Sequence, residues 1–183
     1  SKNYQTLGED GSAAGVWVAD FTDGQECDVR YHTYLPGDAM FRVYDLNEVG
    51  RYYKTNDDVQ YQLSLYPNRV DYSKPEYADM IMVNFWCDRE DLTLEMIENG
   101  HSLSVTKDVK LEDPLFNISH YVPQTKRSGK YQKSHDNVKN HHMYIGHASN
   151  STNPVEVIVR DKTGKVIYRE TVVRPKEFDK NAK

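Results

Sequence analysis

The sequence predicts an all-β protein on three observations. Apolar residues recur with period two rather than 3.6 in most windows, residues suited to tight turns separate the apolar segments, and the segments are short and numerous. In order along the chain, Val16 and Val18 alternate with Trp17 and Ala19, Cys27, Val29 and Tyr31 mark a second segment, and Phe41 and Val43 alternate with Met40 and Tyr44 on a third. Ile81, Val83 and Phe85 follow, then Leu92, Leu94 and Met96, then Leu103 and Val105. Met143 and Ile145, Val155 to Val159, and Val166, Tyr168 and Val172 complete the pattern.

Turn chemistry agrees with these divisions. Asn99-Gly100 tolerates positive φ at both central positions of a two-residue hairpin turn, and Gly164 in Asp161–Lys165 suits the left-handed position of a slightly longer one. About eight or nine short strands joined in this way read as a two-sheet antiparallel β-sandwich, immunoglobulin-like, with long irregular connections at about 50–78 and 113–140. Within the first connection Tyr61, Leu63 and Leu65 are spaced as a short strand; the second is broken by Pro114, Pro123 and Gly129. Connections of that length are usually functional or mobile. At 183 residues the chain has the size of one domain, 1–183.

Composition excludes several classes. Charged residues make up 28% of the chain, the net charge is −5 and the mean hydropathy is −0.81, so the surface is strongly hydrated. A nucleic-acid partner is not expected, because binding phosphates needs clustered Lys and Arg. The one basic cluster, Lys126, Arg127, Lys130 and Lys133, reads as a solvated loop or as a site for an anionic ligand. No apolar run approaches the length of a membrane span, and a secretion signal either lies outside this segment or does not exist. Cys27 and Cys87 are either free buried thiols or one bridge; their spacing is no redox or zinc motif.

Two sets of side chains stand out as candidate surfaces. On the strand from Met80 to Cys87, Ile81, Val83 and Phe85 fill a core, yet Met80, Met82, Asn84 and Trp86 leave the opposite face largely apolar too. That face needs a cover, either the 114–140 connection or a neighbouring domain. The chain also holds 14 Tyr and 2 Trp, and Trp17, Tyr31, Tyr34, Tyr52 and Tyr53 are candidates for stacking on sugar rings, although aromatics are more often core or interface. Metal binding by His135, His141, His142 and His147 is not expected from one strand: His141 and His142 point to opposite faces, and His141 and His147 stand roughly 20 Å apart. A nucleophile elbow and a phosphate-binding glycine loop are absent from the sequence.

Several stretches, in this order, resemble the C-terminal domain of bacterial calcineurin-like phosphoesterases. Asp10-Gly11-Ser12-Ala13-Ala14-Gly15-Val16-Trp17 is similar to that family's D-G-[ST]-x-x-G-[YF] opening, and Met40 to Tyr44 to its M-x-R-V-Y strand. Met82-Val83-Asn84-Phe85-Trp86 resembles V-N-V-[FW], followed by Asp113-Pro114-Leu115 and His142-Met143-Tyr144. Gly164 to Tyr168, Glu170-Thr171 and Arg174-Pro175-Lys176-Glu177-Phe178 look like the family's closing run, with Lys162-Thr163 standing where the family favours an aromatic.

The resemblance implies a non-catalytic accessory domain that docks on or shapes the cleft of a preceding catalytic domain in the same polypeptide, with a carbohydrate-binding module as the alternative. It implies a periplasmic or extracellular hydrolase with two divalent metal ions in the catalytic domain, and no cofactor in this segment. The catalytic motifs D-x-H, G-N-H-[DE] and G-H-x-H are incomplete here: Lys139 precedes Asn140, His142 stands in place of a carboxylate, and Ser149 replaces the last histidine of Gly146-His147-Ala148-Ser149. Arg174 and Lys176 either tie the last strand to a neighbour or lie on a solvated tail.

Overall fold

A computed structural model describes residues 7–8, 10–24, 28–107, 111–129 and 141–181. Ten strands in antiparallel sheets make up most of the regular secondary structure among these residues, as the alternation predicts. A hairpin of β1 (Gly15–Asp20) and β2 (Asp28–Thr33) comes first. One four-stranded sheet orders β3 (Arg42–Asp45), β4 (Met80–Asn84), β8 (Met143–His147) and β7 (Val105–Lys107). The facing sheet orders β10 (Val166–Val172), β9 (Val155–Asp161), β5 (Leu92–Glu98) and β6 (His101–Ser102).

The two sheets enclose Val43, Ile81, Val83, Met96, Val155, Val157 and Val159, the inward members of the period-two pattern. Their approach is close: a Cβ on Gly146 of β8 would lie 2.5 Å from the sulfur of Met96 on β5. Both tight turns form as their residues require. Asn99 and Gly100 have φ of 49° and 78° between β5 and β6, while Gly164 has φ 85° between β9 and β10.

The sandwich carries a third layer on its outer side. The connection expected to be irregular holds α1 (Leu46–Thr55) and α2 (Asp57–Leu65), so Tyr61, Leu63 and Leu65 lie on a helix and not on a strand. Leu46, Val49 and Tyr53 recur at helical spacing on the buried side of α1. Asp45 caps α1 by accepting from the Asn47 amide at 3.2 Å, and Asn56 caps α2 by accepting from the Val59 amide at 3.1 Å. The second connection is helical from Pro114 through α3 (Pro114–Phe116), a π-turn over Asn117–Tyr121 and α4 (Val122–Ser128). Asp113 accepts from the Phe116 amide at 2.8 Å, with Pro114 at the first helical position where its missing N–H costs nothing.

These helices pack on Tyr44, Met82 and Met143, the outer face of the β3–β4–β8 sheet. β4 is therefore buried on both sides, and its continuous apolar run has a physical reason.

The chain ends as a strap across this layer. Arg174 is ion-paired with Asp45, its Nε 3.2 Å from Oδ2, with both side chains fully buried. Arg174 also donates to the Asn150 carbonyl at 2.6 Å, and the Lys176 amide donates to Asp45 at 3.3 Å. Phe178 packs against Tyr52 and Tyr44 with ring centroids 5.2 and 6.2 Å away. Arg174 thus forms an internal tie, neither a solvated tail nor a contact to a neighbour.

Removing one partner of a buried ion pair leaves the other charge uncompensated, a loss of about 3–5 kcal/mol. Asp45→Ala, which also uncaps α1, is expected to lower the unfolding free energy by that amount in urea titration. A loss below about 1 kcal/mol, the size found for exposed pairs, would contradict a closed strap.

Candidate functional site

Two features concentrate the unusual chemistry of the molecule: a buried polar cluster at one end of β4 and the projecting β1–β2 hairpin.

The cluster joins residues distant in sequence. Asn84, with no solvent exposure, donates to the Asp10 carbonyl and to Asp113 Oδ2, both at 2.8 Å. Those two acceptors fix its amide orientation, so its Oδ1 faces His142 Nδ1 at 2.8 Å as an acceptor. His142 Nε2 lies 3.1 Å from Asp10 Oδ2. Both ring nitrogens thus face oxygen atoms within hydrogen-bond distance. Tyr44 donates to Asp113 at 2.7 Å, and Arg42 donates to the Gly11 carbonyl at 2.9 Å while lying over the Trp86 ring. Gly11 has φ 76°, and a Cβ there would lie 2.0 Å from the Asp113 side chain. The Asp-Gly-Ser opening is therefore required by the close approach of this loop to Asp113 as well as by its turn.

Burial works against the charge on Asp10, but donation from His142 and from Ser12 outweighs it and holds the carboxyl well below the usual carboxylate range. For Asp113, burial dominates over the nearby Arg42 and the bonds from Asn84, Phe116 and Tyr44, and its carboxyl is pushed up. These partners are groups of the chain's own scaffold. Among the described residues no three His, Cys, Asp or Glu side chains are placed to hold a metal ion. His147 faces the Ala148 carbonyl, His141 is exposed, and His135 lies outside the described residues. Lys126 of the basic cluster pairs with Asp58 at 2.8 Å; Lys130 and Lys133 lie outside the described residues.

The candidate surface on β4 is not free. Met82, Asn84 and Trp86 are buried under elements of this same chain, Trp86 donates from Nε1 to the Ala39 carbonyl at 3.0 Å, and Met80 is half-buried against the helical layer. Met80 and Met82 are covered by the helical 114–128 segment with α1, which the sequence treats as loop, while Asn84 is enclosed by the polar cluster and Trp86 packs in the core between the sheets, so these four side chains form no common docking face.

The candidate stacking aromatics also divide. Tyr53 is wholly buried, accepts from Asn117 at 3.0 Å and packs edge-on against Tyr72. Tyr52 is half-buried on α1 beneath Phe178. Trp17, Tyr31 and Tyr34 stand on or beside the hairpin. Trp17 and Tyr31 oppose each other across it, centroids 4.9 Å apart and planes tilted by 44°. They form no coplanar row. What the hairpin does present is apolar: Trp17 is 62% exposed, Tyr34 69% and Phe21 83%, with Val16, Val18 and Val29 also exposed.

Among the described residues, the outward bonds of this hairpin that the rest of the chain takes up are on its β2 side. Arg89 donates to the Val29 carbonyl, Cys87 donates to the Tyr31 carbonyl at 3.7 Å, and the Thr33 amide donates to Asp38 at 2.9 Å. The Tyr31 hydroxyl donates to the Ala13 carbonyl at 2.5 Å. Cys87 carries a buried free thiol, pushed up to about 12 by burial and by the charge of Asp38; Cys27 lies outside the described residues.

Fold and cluster together define a β-sandwich whose polar residues hold its own layers in place. Residues 3–167 match the family described as the C terminal of calcineurin-like phosphoesterase, and the chain belongs to that family. The match ends at Ile167, short of the Arg174–Phe178 strap. Comparison with curated proteins and with solved structures gives no match.

Two measurements check this site. Because the folded-state acidity of Asp10 is strengthened, its contribution to stability is full above the ordinary carboxylate range near pH 4 and is lost as pH falls below it. The Tm deficit of Asp10→Asn relative to wild type is therefore expected to be largest at neutral pH and to shrink steadily below about pH 4. A pH-independent deficit refutes the clamp. Native Cys87 is expected to resist iodoacetamide at pH 8 and to react fully in urea, scored by peptide mapping that separates it from Cys27; rapid native alkylation contradicts its burial.

Proposed function

We propose that this chain is a single, non-catalytic accessory domain that follows the catalytic domain of a calcineurin-like metallophosphoesterase and braces it or shapes its cleft. Family membership over residues 3–167 carries the reading. The fate of the chain's own functional groups supports it. Asp10, Asn84, Asp113 and His142, the residue types a hydrolase would use, are spent on one another inside the scaffold. Metal chemistry belongs to the preceding domain in this reading. The family's two divalent ions would stabilise the attacking and leaving oxygens there, and the described residues of this chain do not fit such a centre. The parent is read as an exported bacterial enzyme.

An immunoglobulin-like reading of the sandwich is supported by strand order. Lettered in chain order from β3 to β10 as A, B, C, C′, D, E, F and G, the sheets run A-B-E-D and G-F-C-C′. Here the A–B connection holds α1 and α2, and the D–E connection holds α3 and α4. A carbohydrate-binding module finds no comparable support, since its five candidate aromatics are divided between the β1–β2 hairpin with its exit and α1, and one of them is wholly buried.

The test compares three proteins: the parent polypeptide, the parent lacking this domain, and residues 1–183 alone. Metal-dependent hydrolysis of aryl phosphate mono- and diesters is expected only where the catalytic domain is present. Loss of this domain is expected to lower kcat/KM by about tenfold or more, equivalent to at least about 1.4 kcal/mol of transition-state stabilisation. Turnover by residues 1–183 alone, or an unchanged kcat/KM after deletion, would overturn the reading.

A further inference from the structure

The β1–β2 hairpin has one finished edge and one open edge, and its hydrogen-bond pattern shows which is which. The Tyr34 amide donates to the Ala14 carbonyl at 2.9 Å, so Ala14 and Tyr34 form a hydrogen-bonded pair. Such pairs alternate along an antiparallel ladder. With Gly15 opposite Thr33 and Trp17 opposite Tyr31, the bonded pairs are Val16–His32 and Val18–Arg30, and the backbone groups of Gly15, Trp17 and Ala19 point away from β2. On β2 the outward groups belong to Val29, Tyr31 and Thr33. These are the ones taken up by Arg89, Cys87 and Asp38, which confirms the phase of the ladder.

Among the described residues no counterpart closes β1. In the described residues its neighbour is β2 alone, and the sheet has two strands. The strand reads Gly-Val-Trp-Val-Ala-Asp, with no proline and no charge before its last residue, and every side chain from Val16 to Asp20 is exposed. An open edge of this kind is normally blunted by lysine, proline or a bulge because it pairs readily with other chains. Two-stranded sheets are also marginal on their own in water. An edge that is apolar, unblunted and held out from the body has the properties of a strand-addition site, in which main-chain bonds supply affinity and alternate side chains supply specificity.

Building on the accessory-domain reading, we propose that β1 is completed in the whole polypeptide by an extended strand of the preceding catalytic domain. That strand bonds to the outward groups of Trp17 and Ala19 and covers Trp17 on one face of the hairpin and Val16 and Val18 on the other. The occupant is argued from position. Family membership places a catalytic domain before this one, and the chain passes from Leu7, buried in the helical core, through the Asp10–Ser12 turn directly into β1. The preceding domain is thus tethered through the same short stretch of chain that leads into β1, which gives it a higher effective concentration at the open edge than any free partner or second copy.

The test is amide hydrogen exchange in the full polypeptide, resolved to single residues. Val16 and Val18, bonded to β2, serve as the internal standard. Trp17 and Ala19 are expected to exchange at least about tenfold more slowly than unstructured amides, approaching the standard, and to do so in the monomer at every dilution. Exchange at Trp17 and Ala19 at the unprotected rate, with Val16 and Val18 protected, overturns the proposal. Protection that disappears on dilution assigns the edge to a second copy and overturns it too.

A variant gives independent evidence. Ala19→Pro deletes an outward N–H and leaves the inward bonds to β2 intact, a position where an edge strand tolerates proline. It is expected to expose Trp17 to faster exchange, whereas Ala19→Thr is not; equal behaviour of the two overturns the proposal. Failure here is separable from failure of the accessory reading. Loss of kcat/KM on domain deletion with unprotected Trp17 and Ala19 rejects the strand alone. Unchanged kcat/KM with protected amides rejects the accessory role alone.

Discussion

A strand that is apolar on both faces must be covered on both, and β4 imposes this demand on the rest of the molecule. Its inner residues Ile81 and Val83 meet the β5–β9 sheet, while Met82 needs a second layer, supplied by the helices between β3 and β4 and between β7 and β8. Burying one such side chain stabilises the fold by about 1.5–3 kcal/mol, so leaving the outer face wet would forfeit a large part of a domain's net stability. Both helical connections leave and return to the same sheet, so the cover is built from the chain that the sheet itself connects. The Asp45–Arg174 pair then closes the layer, joining the cap of the first helix to the strap that follows the last strand.

Covering β4 creates a second problem at its end, where Asn84 is buried among apolar residues. A buried amide is tolerable only if its donors and acceptor are all satisfied. Asp113 does this while capping the second helical segment, and Asp10 and His142 do it while fixing the entering loop and the start of β8. One polar cluster therefore sets the relative position of four elements. Its opposed carboxylates, Asp10 held ionised by its donors and Asp113 pushed toward neutrality by burial, follow from how much water each retains.

The sandwich was legible because strands and hairpin turns leave local marks: alternation at 155–159 and 166–172, and the Asn99-Gly100 pair. The helical layer was marked too, though in caps more than in periodicity. Asp45, Asn56 and the Asp113-Pro114 pair are N-terminal helix signals, but α1 and α2 are short, meet at Asn56 and carry exposed Tyr61 and Leu65, which obscures the apolar stripe. The polar cluster was present only as separate motifs. Its contacts span 29, 58 and 74 residues, and nothing local says that Asp10, Asn84, Asp113 and His142 converge. Burial of the Met82 face was anticipated as a need, with its cover left between two candidates that only the packing separates.

The hairpin stands apart from this economy, since Val16, Trp17, Val18, Phe21, Val29 and Tyr34 are exposed together on or beside it, whereas the other exposed large apolar side chains, Tyr61, Leu65, Ile167 and Val173, lie elsewhere, on α2 and on or beside β10. Its exposure is not a sign of a loosely held segment. The base is fixed through Tyr31 to Ala13 and through β2 to Cys87, Arg89 and Asp38, and the entering loop a few residues earlier is locked into the polar cluster by Asp10. A surface held in this way loses little conformational freedom when covered, so most of its apolar area remains available as binding free energy. Rigidity at the base with apolar exposure along the open edge distinguishes a built contact surface from a frayed strand, and it places that surface beside the point where the chain enters the sandwich.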